Sequence, residues 1–381
     1  MDHEIGILGF AESTYEKKTT RTLISMLAEV ARGALASAGL SRDDVDGIAV
    51  CSFMLPPDNA VTLAEQLGIA TSWAYLGTAG GAGPVASVIN AIRAIESGQA
   101  KTILCLAADN YDIAGHYRLM DFFNKALMSY ATPNGFGGAN GLFGIVQRKH
   151  METYGTRRED LGRIAVGQRA SAARNSNALL RGPLTLDDYL HARVIADPIR
   201  LYDCVLPCAG ADAVVVGALD RGLPGKGVRV LAGYEQHNHP AGEIAPLRGG
   251  WELFRERLWA AAGRGPGDVN FVQAYDDYPI MVAIQLEDLG FCAKGEVSSF
   301  LAHHSFACDG SFPLNTNGGQ LSCGQAGAAG GMIGLVEAVR QLRGEAGPFQ
   351  VTDARCGLVS GYGMVGYGHG LSSSCVVLEQ A

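Results

Sequence analysis

Ala38-Gly39, four residues, then Asp44-Val45-Asp46-Gly47-Ile48: this stretch returns later in the chain as Ala262-Gly263, four residues, then Asp268-Val269-Asn270-Phe271-Val272. In both places an amphipathic helix stops at glycine, and an apolar strand opens after a short turn. A second echo follows in the same order. The helix after Gly83 carries Ala91-Ile92-Arg93, and the helix after Gly330 carries Ala338-Val339-Arg340. A Gly/Ala-rich turn precedes each, at 77–83 and 324–331. Two matches in one order predict two halves of similar fold. The stretch Arg221-Gly-Leu-Pro-Gly-Lys-Gly227 is where they divide, giving an N-terminal half 1–225 and a C-terminal half 226–381.

Outward from these stretches, strands and helices alternate. Residues 5–10 read as a buried strand. Residues 20–38 carry Leu23, Met26, Leu27, Val30 and Ala34 at helical spacing. A strand at 45–51, a helix at 84–95 and a strand at 102–108 follow. This alternation predicts an α/β fold of mixed or parallel sheets covered by helices.

Composition narrows the function. A chain of 381 residues has room for two such units. Its net charge of -8 argues against an extended basic surface for nucleic acid. The nine cysteines show no CxxC spacing, and Cys204 and Cys208 lack a second ligand pair, so no metal site is expected. Reduced, buried thiols in the cytoplasm are the expectation. Residues 1–10 lack a basic region followed by an apolar run and do not read as a signal peptide. No apolar stretch of membrane-spanning length occurs.

The two Gly-rich turns both open helices, whose N-termini offer free N–H groups and a positive dipole end suited to an oxyanion. The same glycines could equally serve only close packing of helices.

Several longer motifs carry a resemblance. They are Leu286-Glu-Asp-Leu-Gly-Phe-Cys-Ala-Lys-Gly-Glu296, Phe312-Pro-Leu-Asn-Thr-Asn-Gly-Gly-Gln320, Glu337-Ala-Val-Arg-Gln-Leu-Arg-Gly-Glu345, and Ala196-Asp-Pro-Ile-Arg-Leu-Tyr-Asp203 preceded by Tyr189. Over almost its whole length the chain resembles the thiolase superfamily, in its sterol-carrier-associated group. The resemblance implies a five-layered αβαβα fold, a homodimeric core and acyl-CoA ligands.

It also exposes departures. The family's nucleophilic cysteine falls on Gly81, within Gly77-Thr-Ala-Gly-Gly-Ala-Gly83, where Thr78 is the sole hydroxyl. A lone threonine without a base is a poor nucleophile. The family's Gly-His-Pro reads Gly324-Gln325-Ala326, and glutamine accepts no proton near pH 7. Its His-Asp-Cys-Phe reads Tyr275-Asp276-Asp277-Tyr278. Its distal cysteine falls within Ser360-Gly-Tyr-Gly-Met-Val-Gly-Tyr-Gly368. A covalent acyl-enzyme is therefore not expected at this site.

Polar groups remain for other chemistry. Tyr275, Tyr362, Tyr367, Asp276 and Gln325 are the catalytic candidates. Gly81, Gly324, Gly327, Asn317, His304 and Tyr278 are the candidates for binding substrate or an oxyanion, with His369 near Tyr367. Two tyrosines and an oxyanion hole meet the needs of retro-aldol cleavage of a β-hydroxyacyl-CoA into a carbonyl product and acetyl- or propionyl-CoA. The resemblance points the same way, because cysteine-less, tyrosine-bearing relatives include aldolases that shorten steroid side chains. It implies a small zinc-ribbon/OB-fold partner, forming a heterotetramer. Coenzyme A enters as part of the substrate, and no covalently bound cofactor is expected.

Plainer readings stand beside each candidate. Tyr275 could be a packed strand residue, Asp276 and Asp277 a solvated turn, and Tyr362 and Tyr367 loop packing. His303 and His304 could be surface residues, and His237 and His239 a loop rather than a metal pair. Segment 111–128 reads as a substrate cover or dimer contact. Two other functions stay open. One is an acyltransferase or thiolase using Cys308 or Cys323. The other is a non-catalytic acyl-CoA-binding subunit.

Overall fold

Residues 4–120, 129–130, 132–135, 138–366 and 369–381 are described by a computed structural model. The chain begins β1 (Ile5–Glu12), α1 (Leu23–Ala38), β2 (Gly47–Cys51), α2 (Ala60–Leu67), β3 (Trp73–Gly77), α3 (Gly83–Glu96) and β4 (Thr102–Asn110). An excursion follows: α4 (Ile113–Met120), α5 (Gly138–Tyr154), α6 (Arg158–Ala172), α7 (Leu186–His191) and the hairpin β5 (Val194–Ala196) with β6 (Ile199–Arg200). The strand β7 (Ala209–Ala218) closes this first run. The second run is β8 (Val228–His237), α8 (Trp251–Ala262), β9 (Phe271–Gln273), α9 (Pro279–Asp288), α10 (Val297–His303), α11 (Gly319–Cys323), α12 (Ile333–Leu342), β10 (Cys356–Gly366) and β11 (His369–Gln380).

Strand order shows one plan used twice. Among the described residues, the nine strands of the main sheet lie in the order β3-β2-β4-β7-β1-β8-β11-β10-β9. Read outward from the middle, β1, β7, β4 and β2 match β8, β11, β10 and β9. Pairing agrees, with β2 parallel to β4 as β9 is to β10, and the inner pairs antiparallel. The place of β3 is held in the second run by a single parallel bridge, Val272 to Leu314. The two runs meet where Gly6 and Ile7 pair with Arg229 and Val228.

The repeated sequence motif has a physical cause. Gly39 and Gly263 end α1 and α8 in the left-handed conformation, at φ 72° and 60°. Asp44 then accepts from the Ser41 N–H at 2.8 Å, and Asp268 from the Gly265 N–H at 2.7 Å. Two residues on, Asp46 accepts from the Thr102 N–H at 2.9 Å, and Asn270 from the Cys356 N–H at 2.9 Å. Each pair first shapes the turn and then ties one strand's start to that of its parallel neighbour.

Packing is layered. The helix α3 lies on β2, β3 and β4 and also on β8, β10 and β11, while α12 touches β1 and β7 as well as β9 and β10. Both helices are thus sandwiched between sheet surfaces. On the outer faces, α1 covers β1, β7 and β4, and α8 covers β8 and β11. Three apolar clusters fill the spaces. The central one contains Val85, Val88, Val336 and Val339, the outer ones Leu27 with Leu104 and Trp251 with Leu358. Each large side chain so buried contributes on the order of 1.5–3 kcal/mol.

The long motifs map onto buried polar clamps. Asp203 accepts from Arg158 Nη1 at 2.9 Å, from the Arg200 N–H at 2.7 Å and from the Tyr189 hydroxyl. Lys294 Nζ reaches Glu287 at 3.1 Å and Asp288 at 2.6 Å, and His150 of α5 meets Glu287 at 3.4 Å. Arg340 joins Glu337 at 2.7 Å to Glu12 at 2.9 Å, linking α12 to β1. Among the described residues, no helix is long and apolar enough to cross a membrane.

Candidate functional site

The two Gly-rich turns lie against each other. Each contains a short 3-10 segment, Gly80–Ala82 before α3 and Gly327–Gly331 before α12. A Cβ on Gly331 would overlap the Gly81 carbonyl oxygen. A Cβ on Gly363 of β10 would overlap the Ala79 carbonyl oxygen and lie 2.6 Å from the Gly81 nitrogen. Backbone packs directly on backbone here, so these glycines serve close approach.

Tyr275 follows the end of β9 and enters this contact. Its ring is the reason position 81 bears no side chain, because a Cβ on Gly81 would overlap Cε2, Cζ and the hydroxyl oxygen of Tyr275. The phenol therefore fills the space that a side chain at the start of α3 would need. Its hydroxyl accepts from Gln325 Nε2 at 3.3 Å, and the same Nε2 donates to Gln320 Oε1 at 3.1 Å. Burial, with the neighbouring Asp277 and Asp276, pushes the Tyr275 phenol well above its ordinary value of 10.0. The group is a neutral hydrogen-bond donor at physiological pH.

Asp276 is buried, not a solvated turn. It accepts from the N–H groups of Gln320 at 2.9 Å and Leu321 at 3.2 Å, at the start of α11. Gly319 stands at φ 59°, and a Cβ there would overlap the Asp276 carboxylate. Burial raises Asp276 to about 7, against the pull of these backbone donors. Asn317 Oδ1 accepts from the Gly319 N–H at 2.9 Å, while its Nδ2 is buried without a hydrogen-bond partner. Tyr275, Asp276, Asn317, Gln320 and Ser360 line a cavity of about 10 Å³, room for one water at most.

Asp277 was not among the candidates read from sequence, yet it is buried and one of its oxygens has no hydrogen-bond partner. Burial and the adjacent Asp276 push its carboxyl well above 3.8. Tyr278 is likewise buried. Its hydroxyl donates to Asn140 Oδ1 at 2.7 Å, and its ring lies 4.8 Å from Phe143. Nothing in the local sequence marks Asn140, which belongs to α5 in the excursion.

Tyr362 lies on β10 beside Gly361, the residue that packs on Ala82. Strand alternation turns Tyr362 to the other face. There it packs against Trp251 at 5.1 Å and Phe143 at 6.3 Å, and its hydroxyl accepts from the Gly370 N–H. Its placement is that of a core residue with a satisfied hydroxyl. Tyr367 lies outside the described residues, as does most of the later part of segment 111–128.

In the turn at 324–327, the Gly324 N–H donates to Gln320 O at 3.1 Å and the Gln325 N–H to Leu206 O at 2.8 Å. Neither is a free donor for an oxyanion. The Gly327 N–H faces the hydroxyl of Tyr111, another buried phenol that sequence reading did not single out. The His304 ring lies tilted against Phe300 at 4.3 Å, with no described contact to Tyr275 or Gln325. His239 pairs with Glu252 at 2.9 Å and His237 with Ser372 at 3.1 Å. Cys323 donates to Asn317 O at 3.1 Å, and burial holds its thiol well above 9.0; burial raises Cys308 too. Thiols kept neutral are weak nucleophiles.

The chain is similar to known proteins over most of its length. Residues 256–379 match the thiolase C-terminal domain-like family. The chain is 32% identical over 361 residues to the 17-hydroxy-3-oxo-4-pregnene-20-carboxyl-CoA lyase of Mycobacterium tuberculosis, spanning 90% of this chain and 92% of that one. It is 32% identical over 357 residues to the steroid side-chain-cleaving aldolase of Thermomonospora curvata, spanning 89% and 90%. Among solved structures, the Ltp2-ChsH2(DUF35) aldolase superposes with a TM-score of 0.86 at 29% identity, over 99% of this chain and 98% of that one. The chain belongs to the thiolase superfamily, among its aldolase-type carbon–carbon lyases.

Proposed function

We propose that the chain cleaves a β-hydroxyacyl-CoA by a retro-aldol reaction, releasing a ketone or aldehyde and acetyl- or propionyl-CoA. The observation that carries this reading is the phenol of Tyr275 filling the space above Gly81, where a nucleophile would otherwise project. A site so filled has no place for an acyl-enzyme, but it holds a proton donor on a fixed hydrogen bond.

In the reaction, a base takes the β-hydroxyl proton and the bond between the α- and β-carbons breaks. Its electron pair passes into the thioester, giving an enolate. An acid returns a proton to the α-carbon. Tyr275, held neutral by burial, suits the acid, with Gln325 orienting its hydroxyl. Asp276, raised to about 7, has the pKa that suits a base at neutral pH. Tyr367 is a further proton-transfer candidate, and Asn317 and Tyr278 are candidates for substrate contact; Tyr362, packed in the core, is not carried into the proposal. The names of the two relatives support a steroid CoA thioester as substrate class.

The two-component name of the superposed aldolase supports a small partner protein, proposed here as a zinc-ribbon/OB-fold chain. A homodimeric core, a cytoplasmic location and coenzyme A as part of the substrate belong to the same proposal.

The test is mass-spectrometric turnover of the protein co-expressed with that partner. β-Hydroxyacyl-CoA and β-ketoacyl-CoA thioesters would be offered in parallel. Release of a short acyl-CoA and a carbonyl product from the hydroxy compounds, without added CoA, supports the lyase. CoA-dependent cleavage of the keto compounds would replace it with a thiolase. Tight acyl-CoA binding without turnover of either would leave a non-catalytic subunit.

A further inference from the structure

Asp109, the last residue but one of β4, is a fully buried carboxylate that the reaction outlined above does not use. Its contacts come from both runs of the chain. From the loop after β2 it accepts the Ser52 hydroxyl at 2.8 Å, the Phe53 N–H at 3.0 Å and the Met54 N–H at 2.9 Å. From the turn before α12 it accepts the Ala328 N–H at 2.8 Å. Gly327, at φ 54°, presses so closely on this carboxylate that a Cβ there would overlap Oδ2. Two residues earlier stands Gln325, whose side chain holds the Tyr275 hydroxyl.

We propose that Asp109 is a positioning residue: it sets the turn that carries Gln325, and through Gln325 the direction of the Tyr275 hydroxyl. The inference rests on the reading of Tyr275 as the proton-transfer group. The physical argument is one of donors and acceptors. All four partners donate, so both carboxylate oxygens must accept. An asparagine of the same shape replaces one acceptor with a donor. One orientation sets an NH₂ against Ala328, and the other sets it against Ser52 and Met54. Either way one of the two loops loses its anchor. A displacement of about 1 Å in a catalytic group costs up to about a hundredfold in rate.

The experiment combines kinetics with two readouts that need no turnover. Asp109→Asn is expected to lower kcat tenfold to a hundredfold with KM changed less than threefold. Amide exchange followed by mass spectrometry should quicken in peptides covering 52–54 or 326–328 and stay unchanged in α1 and α8. The ring-carbon NMR signal of Tyr275, assigned with Tyr275→Phe in tyrosine-labelled protein, should move. Should Asp109→Asn fail to fold, Ala328→Pro deletes the N–H that Asp109 accepts from the turn before α12 and is read the same way. Quickened exchange with an unmoved Tyr275 signal and unchanged kcat would overturn the proposal and leave Asp109 a purely structural link. A wild-type protein inert on every thioester would sink the lyase reading, while the NMR signal would still decide whether Asp109 orients Tyr275.

Discussion

The turn before α3 and the turn before α12 occupy matching places in the two runs, yet they do different work. The first is nearly bare of side chains. Gly81 must stay bare because the Tyr275 ring lies on it, and Gly331 and Gly363 press on its carbonyls and nitrogens. The second keeps polar side chains beside its glycines, with Gln325 bonded to Tyr275 and Gln320, and Ala328 anchored on Asp109. The difference teaches that matching turns of a duplicated frame can carry different side chains without altering the backbone. A phenol entering from the second run takes the volume that a side chain at position 81 would need.

Removing one oxygen is the severest way to break this comparison. Tyr275→Phe keeps the ring over Gly81 and loses only the hydroxyl, so stability should change by about 1 kcal/mol. Turnover of the β-hydroxyacyl-CoA should fall at least about a hundredfold in steady-state assays. A variant retaining a third of wild-type activity would show that the second turn does not carry the chemistry.

Next comes the contact between the turns. Gly331→Ala sets a methyl against the Gly81 carbonyl, where backbone rather than a flexible side chain must yield. Denaturant unfolding should show a loss of about 2 kcal/mol, the scale of overpacking. An unaffected midpoint would mean that the turns are not in tight contact.

A smaller, sharper effect is the coupling between positions 81 and 275. Gly81→Ala should destabilise by about 1–2 kcal/mol in the wild-type background. In a Tyr275→Ala background the added methyl should cost nothing, or should help fill the space left by the ring. Additive unfolding free energies in the four-variant cycle would refute the reciprocal packing.

The least effect is a change of slope with pH. Burial raises the folded-state value of Asp276 from 3.8 to about 7. Its protonation thus favours the folded state, a contribution fully present below 3.8 and lost as pH rises through about 7. Asp276→Asn lacks that contribution. Relative to wild type it should gain stability between pH 5 and pH 8, whatever constant offset it carries from a poorer cap on α11. Parallel unfolding curves at the two pH values would check this, and a constant difference would contradict it.

Much of the frame was legible because its signals are local. The glycine stops at 39 and 263 and the carboxylates at 44 and 268 act within three residues of themselves. The pairing of a bare Gly81 with Tyr275 was not legible, although both departures were noticed separately, because it depends on how the runs stack. Asp276 reads as a polar turn until the start of α11 arrives to use both its oxygens. Tyr362 looked equivalent to Tyr275, but the pleat of β10 sends it into the outer core against Trp251. Asp277 read with Asp276 as a solvated turn, and Asp109 gave no signal, since an acidic residue near a strand end says nothing about burial until its neighbours are placed.

The most direct test is intact-protein mass spectrometry on reactions quenched during turnover of a β-hydroxyacyl-CoA. The account predicts a protein of unmodified mass at every time point while short acyl-CoA accumulates. An acyl increment on Cys323, or on any other cysteine, that disappears when CoA is added would contradict it and restore covalent catalysis to this site.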